Sequence, residues 1–265
     1  MNQYYLCLFL ILFTLNLTSR KPWEPGINIL KGNVRCEIPA LRKKSQNGLD
    51  TLKVNGKKII DNYISAIGGR NVINKIMDRT TYITGRVRNT DIQIVVYQKI
   101  PNKYYQKTEL GAAEQKIIFD GETGVLITED GTQEIRGLDL EKLKYEATMQ
   151  LPLYLNAYNV KAVLNGFEKV RGINAFKVVL KFPGNMEWIQ YYDSTTYLKI
   201  KEIKPVSSPQ GKAVNQETFF SDYREVDGVK YPFTIKQFLG TSKFEFYVDS
   251  IKVNTGLSDR NFDIE

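Results

Sequence analysis

The sequence predicts a mainly β fold with a few helices, an α+β arrangement built on one large curved antiparallel sheet. Three observations lead there. From Arg79 onward apolar residues recur with a period of two, in runs broken by turn signals. The links between runs are mostly a few residues long, which suits antiparallel neighbours, because parallel pairing needs a crossover of about a dozen residues. Helical periodicity is confined to a pair of stretches before the sheet and one inside it. With 265 residues, 42% hydrophobic and 25% charged, the chain has enough apolar material for one large domain behind a leader.

Taken in order, the chain opens on "YYLCLFLILFTLNL", Tyr4 to Leu17, apolar except for Asn16. A transmembrane helix needs about 20 such residues, so the run suits the apolar region of a secretory signal. Residues 1–19 are thus expected to be a signal peptide, with an uncleaved anchor left open, and the protein to be exported to the periplasm or cell envelope. Cleavage would leave Cys36 as the sole cysteine and allow no internal disulfide. Residues 20–48 carry seven basic and two acidic side chains and three prolines, without periodicity, and read as a basic extended tail. The domain proper is 49–265.

In "NGKKIIDNYISAIGG" the apolar residues Ile59, Ile60, Tyr63, Ile64 and Ile67 form one stripe of a helix, with Asn55 as its cap and Gly68-Gly69 as a left-handed stop. Val72, Ile73, Ile76 and Met77 repeat the spacing in a second short helix. Strands are predicted at 79–88, 91–100, 103–110, 114–120, 124–129, 159–169, 173–182, 186–193, 196–205, 214–225, 229–239 and 243–253. "LDLEKLKYEATM" interrupts them as a helix capped by Asp139.

The register of "TFFSDYREVDGVKYPFTI", residues 218–235, matters most, because it decides which aromatics face inward. A two-residue loop at Asp227-Gly228 mixes charged and apolar residues on both faces. A three-residue loop, Val226-Asp227-Gly228, pairs Tyr223 with Tyr231 and gathers Phe219, Tyr223, Tyr231, Phe233 and Ile235 on one face, with Asp222 and Arg224 on the other. Burying an unpaired carboxylate and guanidinium costs several kcal/mol, so the sorted register is expected.

The chain contains no histidine, which removes Ser-His-Asp and Cys-His arrangements and His-ligated zinc. No phosphate-cradling glycine loop is present. The carboxylate pairs Asp120/Glu122 and Glu129/Asp130 sit at Gly-containing turns, where Asp is favoured for backbone hydrogen bonds. A non-catalytic protein without metal or cofactor is expected. Of the net charge of +8, the tail holds +5, so the rest of the chain is close to balanced and no basic groove for nucleic acid is legible. What remains is aromatic: 16 Tyr, 13 Phe and 2 Trp. Each one alone reads as core, but a single curved sheet covered by three short helices has more apolar face than they fill. A cavity for an apolar ligand follows.

"IIDNYISAIGGRNVINKI", "YQKIPNKYYQ", "IIFDGETGV", "YYDSTTYLKIKEI" and "FFSDYREVDGVKYPFTI", in this order and spacing, resemble the LolA-like outer-membrane lipoprotein-sorting family over about residues 49–265. The resemblance implies an unclosed antiparallel β-barrel, with helices covering its concave face and a cavity that receives a lipid or the acyl chain of a lipoprotein. Phe219, Tyr223, Tyr231, Phe233 and Ile235 are the lipid-binding candidates on that face. The same segments resemble the C-terminal domain of some M16-type peptidases, whose H-x-x-E-H zinc motif a histidine-free chain cannot contain. That kinship implies instead a stand-alone accessory or interaction domain. A monomer is expected in either case, with the basic tail reaching toward an anionic membrane surface.

Overall fold

The computed structural model describes residues 55–264 except 88 and 208–212. The apolar leader, the basic stretch 20–48 and Cys36 lie outside the described residues.

Thirteen antiparallel strands form one sheet: β1 (Asp78–Val87), β2 (Thr90–Lys99), β3 (Lys103–Leu110), β4 (Ala113–Phe119), β5 (Gly124–Thr128), β6 (Gly131–Ile135), β7 (Lys161–Val170), β8 (Ile173–Lys181), β9 (Glu187–Asp193), β10 (Lys199–Ser207), β11 (Ala213–Val226), β12 (Val229–Leu239) and β13 (Ser242–Val253). Their spatial order is β6-β5-β4-β3-β2-β1-β13-β12-β11-β10-β9-β8-β7. Two meanders therefore meet where the first strand pairs with the last, from Arg79 opposite Val253 to Arg86 opposite Glu245. β6 and β7 are the two edges, and the sheet does not close between them. The chain must pass from one edge to the other, and it does so through α3 (Gly137–Ala147) and α4 (Leu151–Tyr154).

That passage covers the inner face. Leu143 and Ala147 pack with Ile92, Ile94, Phe119, Leu126, Phe244 and Phe246 in one apolar core. Tyr145, Leu151 and Leu155 pack with Val178, Leu180, Trp188 and Tyr192 in a second. The second core is completed by α1 (Gly56–Ala66) and α2 (Arg70–Ile73), which bury Ile59, Ile60, Ile64 and Ile73. α1 begins where expected, with the Asn55 side chain accepting from the Lys58 amide at 2.9 Å, and stops at Gly68 and Gly69, with φ of 132° and 83°.

Twelve strands and the helix pair lie close to their predicted places; β6, α4 and the cap of α3 do not. β6 is "GTQEI", with only Ile135 buried, so it carries no alternation to read. α3 starts at Gly137 behind an extended Arg136, which puts Asp139 inside the first turn, 3.8 Å from Lys142, instead of at the cap.

The hairpin register also departs from expectation. Val226 pairs with Val229, Arg224 with Tyr231, and Tyr223 with Pro232, so the loop has two residues and Tyr223 is not opposite Tyr231. Asp227 and Gly228 both take left-handed φ, 48° and 77°, the conformation that fits a two-residue turn to the twist of its strands. The face mixing that argued against this register is relieved at Asp222, which also takes a left-handed φ of 54°. Alternation slips there: Phe220 and Tyr223, three apart, both face the space between sheet and helices, while Asp222 and Arg224 form an exposed ion pair at 2.6 Å.

The hairpin tip latches the helix pair. The Lys230 amide donates to the Ile67 carbonyl at 2.8 Å, and Val229 is buried among the residues of α1 and α2. The Gly68 turn lies so close to the tip that a Cβ there would stand 2.2 Å from the Gly228 carbonyl oxygen.

Candidate functional site

Between the inner face of the sheet and the four helices lies a cavity of about 350 Å³. Its apolar wall comes from Ile60 of α1, Ile83 and Val96 of β1 and β2, Leu155 beyond α4, Ile235 of β12 and Ile251 of β13. A second void of about 250 Å³ shares Arg79, Leu151, Pro152, Lys199, Phe220 and Tyr231 with the first and extends beneath α1 and α2. Both cores contribute to the lining, so the void lies where the two halves of the sheet fail to meet across the interior.

A polar seam crosses this wall. On β9, residues two apart share a face, and the Tyr192 hydroxyl donates to Gln190 Oε1 at 2.5 Å while Gln190 Nε2 donates to Glu202 Oε2 at 2.6 Å. Glu202 also holds Lys199 at 3.1 Å and Lys204 at 2.9 Å, and Lys204 reaches Glu146 of α3 at 3.2 Å. The Lys204 ammonium lies 4.1 Å from the centre of the Trp188 ring. Glu202 is 5% exposed. Burial pushes its carboxyl up, but the two lysines and the hydrogen bonds from Lys204 and Gln190 outweigh that and bring its pKa down to about 2. Burial pulls Lys204 down, and the two carboxylates hold it above the ordinary lysine value instead. Glu202 and Lys204 are thus both charged at neutral pH, and the Lys204–Glu146 contact ties α3 to the sheet.

Arg79 of β1 lines both voids. It donates to the Gln98 side chain and stands 5.2 Å from the centre of the Tyr231 ring. Gln98 in turn approaches the Glu146 carbonyl at 3.4 Å.

Of the residues singled out in the sequence, Tyr231 and Ile235 line the larger cavity, and Tyr231 and Tyr223 line the smaller. The Tyr223 hydroxyl donates to the Lys199 carbonyl at 2.7 Å. Phe233 is buried in the first core rather than in either wall. Phe219 points the other way, a correction that follows from the register: it packs edge-on to Phe238 on the outer face, with the Arg171 guanidinium 3.7 Å from its ring centre. Phe220, its neighbour, takes the inward place.

The seam was not legible in the sequence. "KIKEIKPV" alternates lysine with isoleucine as a wet-faced strand would, yet the pairing of β9 with β10 shifts between Lys199 and Lys201. That shift brings Lys199, Glu202 and Lys204 inward and sends Ile200 and Ile203 to a small outer cluster with Phe219. Alternation of lysine with isoleucine therefore does not place these lysines on a solvated face.

No family model matches the sequence, and no curated protein matches it. In fold it is similar to several solved structures. A LolA superfamily protein from Nitrosomonas europaea superposes with a TM-score of 0.54 at 11% identity, over 80% of this chain and 98% of that one. A DUF1329 family protein from Desulfovibrio piger gives 0.52 at 12%, over 78% and 97%. A domain from Vibrio parahaemolyticus named for outer membrane lipoprotein sorting gives 0.51 at 13%, over 78% and 96%. The likeness is one of fold, and it extends over nearly the whole of each neighbour. The unclosed sheet with helices on its inner face is therefore the LolA-like architecture.

Proposed function

Starting from that architecture, we propose that this chain is a non-catalytic binding protein of the cell envelope that takes the acyl chain of a lipid or lipoprotein into the cavity between sheet and helices. The observation that carries the proposal is the void itself. At about 350 Å³ it falls in the range of small-molecule sites, and aliphatic side chains from both halves of the fold line it. A protein interior is normally packed to the density of an organic crystal, so a void of this size forgoes contacts that a flexible apolar chain would restore. The names of the fold neighbours from Nitrosomonas and Vibrio support the same class of role. The lack of any histidine supports the absence of catalysis, since the commonest general base is missing.

Native mass spectrometry of protein purified without detergent tests this directly. An acyl-bearing species that co-purifies, or is taken up from added fatty acid at one per chain, is the expected result. Protein that emerges free of such species and takes none up would overturn the proposal and favour an interaction module with a hydrated interior.

A further inference from the structure

We infer that the ligand of this cavity is an amphiphile with an anionic head group, a carboxylate or phosphate, and that Arg79 is the residue that receives it. The inference rests on the binding reading above and goes on to the chemistry of the ligand's polar end.

Charge in the lining is not balanced. Arg79, Lys199 and Lys204 face Glu146 and Glu202, which leaves one positive charge in excess. The two lysines are accounted for: Lys199 pairs with Glu202, and Lys204 with both Glu202 and Glu146. Arg79 is the remainder. Among the described residues no carboxylate lies within salt-bridge distance of it, its bond to Gln98 is to a neutral amide, and its Nε is buried without a hydrogen-bond partner. A guanidinium is charged at any ordinary pH and cannot relieve burial by losing its proton. Without a carboxylate partner in the wall of the cavity, it is an unfilled half of an ion pair.

Two further atoms of the same lining are in a similar position. Trp188 Nε1, a donor, and Gln237 Oε1, an acceptor, are buried without hydrogen-bond partners in side chains only 2% and 3% exposed. Buried polar groups in native proteins are nearly always satisfied, and these orphans gather in the wall beside the guanidinium of Arg79, which lines both voids. An occupant that is hydrocarbon throughout would leave the guanidinium without a counter-charge. A head group with one negative charge and several acceptor oxygens answers the arginine, which is suited to bidentate recognition of carboxylate or phosphate. The apolar wall described above then takes the tail.

A matched pair of probes decides the matter. Binding of cis-parinaric acid and of its methyl ester, which share a tail and differ in charge, is followed by fluorescence on the purified protein. A charge-assisted hydrogen bond is worth enough for a preference of about 10-fold or more for the acid. Arg79→Gln should lower acid affinity to that of the ester and leave the ester within about 2-fold, whereas Arg79→Lys should keep part of the preference. Competition by a lysophosphatidic acid of similar chain length against the free fatty acid shows whether phosphate or carboxylate is preferred, and either result agrees with the inference. Equal binding of acid and ester to the wild type overturns it while sparing the binding proposal, and so does an Arg79→Gln loss equal for both probes. If neither probe binds, the binding proposal falls and this inference falls with it. Should Arg79→Gln fail to fold, the wild-type acid-to-ester ratio alone gives the answer.

Discussion

Replacing Glu202 by Gln removes one carboxylate from a seam that holds two inward lysines, and the consequence depends on pH in a way that can be worked out. The Glu202 carboxyl is held at about 2, against an ordinary glutamate value of 4.5. A folded-state pKa below the unfolded one means that the unfolded chain binds the proton first as pH falls. The stabilisation is therefore complete above about pH 4.5 and is lost progressively down to about pH 2. That difference in pKa corresponds to about 3 kcal/mol. At neutral pH Glu202→Gln should cost a similar amount, about 3–5 kcal/mol, because Lys199 loses its carboxylate partner and Lys204 keeps only Glu146. Urea titrations at a series of pH values, followed by far-UV circular dichroism and by the fluorescence of Trp188, give both curves. Exposed carboxylates that lysines hold low, such as Glu114 and Asp259, titrate alike in both proteins and cancel in the difference. The gap between wild type and variant should shrink by about 3 kcal/mol between pH 5 and pH 2. Parallel curves across that window would refute the claim that Glu202 is ionised inside the protein.

The latch is tested by two glycines: Gly69→Ala has nothing within 4 Å and should cost only the roughly 1–3 kcal/mol of its φ 83°, ψ 157° backbone, whereas Gly68→Ala adds a 2.2 Å approach to the Gly228 carbonyl to its own positive φ and should cost at least about 2 kcal/mol more in urea unfolding. Equal losses would show that the tip does not press on the turn. Arg224→Ala, which removes an exposed ion pair, should change stability by no more than about 0.5 kcal/mol by the same assay. Ile235→Trp should fill part of the cavity and weaken parinaric acid binding several-fold with less than about 1 kcal/mol change in stability; undiminished binding would place the ligand elsewhere. For the basic stretch, a comparison of residues 20–265 with 49–265 in co-sedimentation with anionic vesicles should show binding that needs the stretch and fades with salt, and equal binding would remove its proposed membrane role.

The sequence by itself determined the class of fold, because period and punctuation are local. Strand alternation, the Asn55 cap and the Gly68-Gly69 stop each depend on a few neighbouring residues, and each appears where its physics puts it. It also determined what chemistry is absent, since a chain without histidine has none wherever it folds. Tertiary structure alone decided which residues face the cavity. A strand's inward set reverses with a slip of one position, and here two departures of that size decided the wall: the two-residue loop, which pairs Phe220 with Ile235 and leaves Phe219 outside, and the shift between Lys199 and Lys201, which drew a charged seam into the interior. Neither leaves a mark in the hydrophobic pattern. An inward lysine and an outward one read the same along the chain, and the inward places are made tolerable by Glu202 beside them on β10 together with Glu146, which the fold brings from α3, distant in sequence.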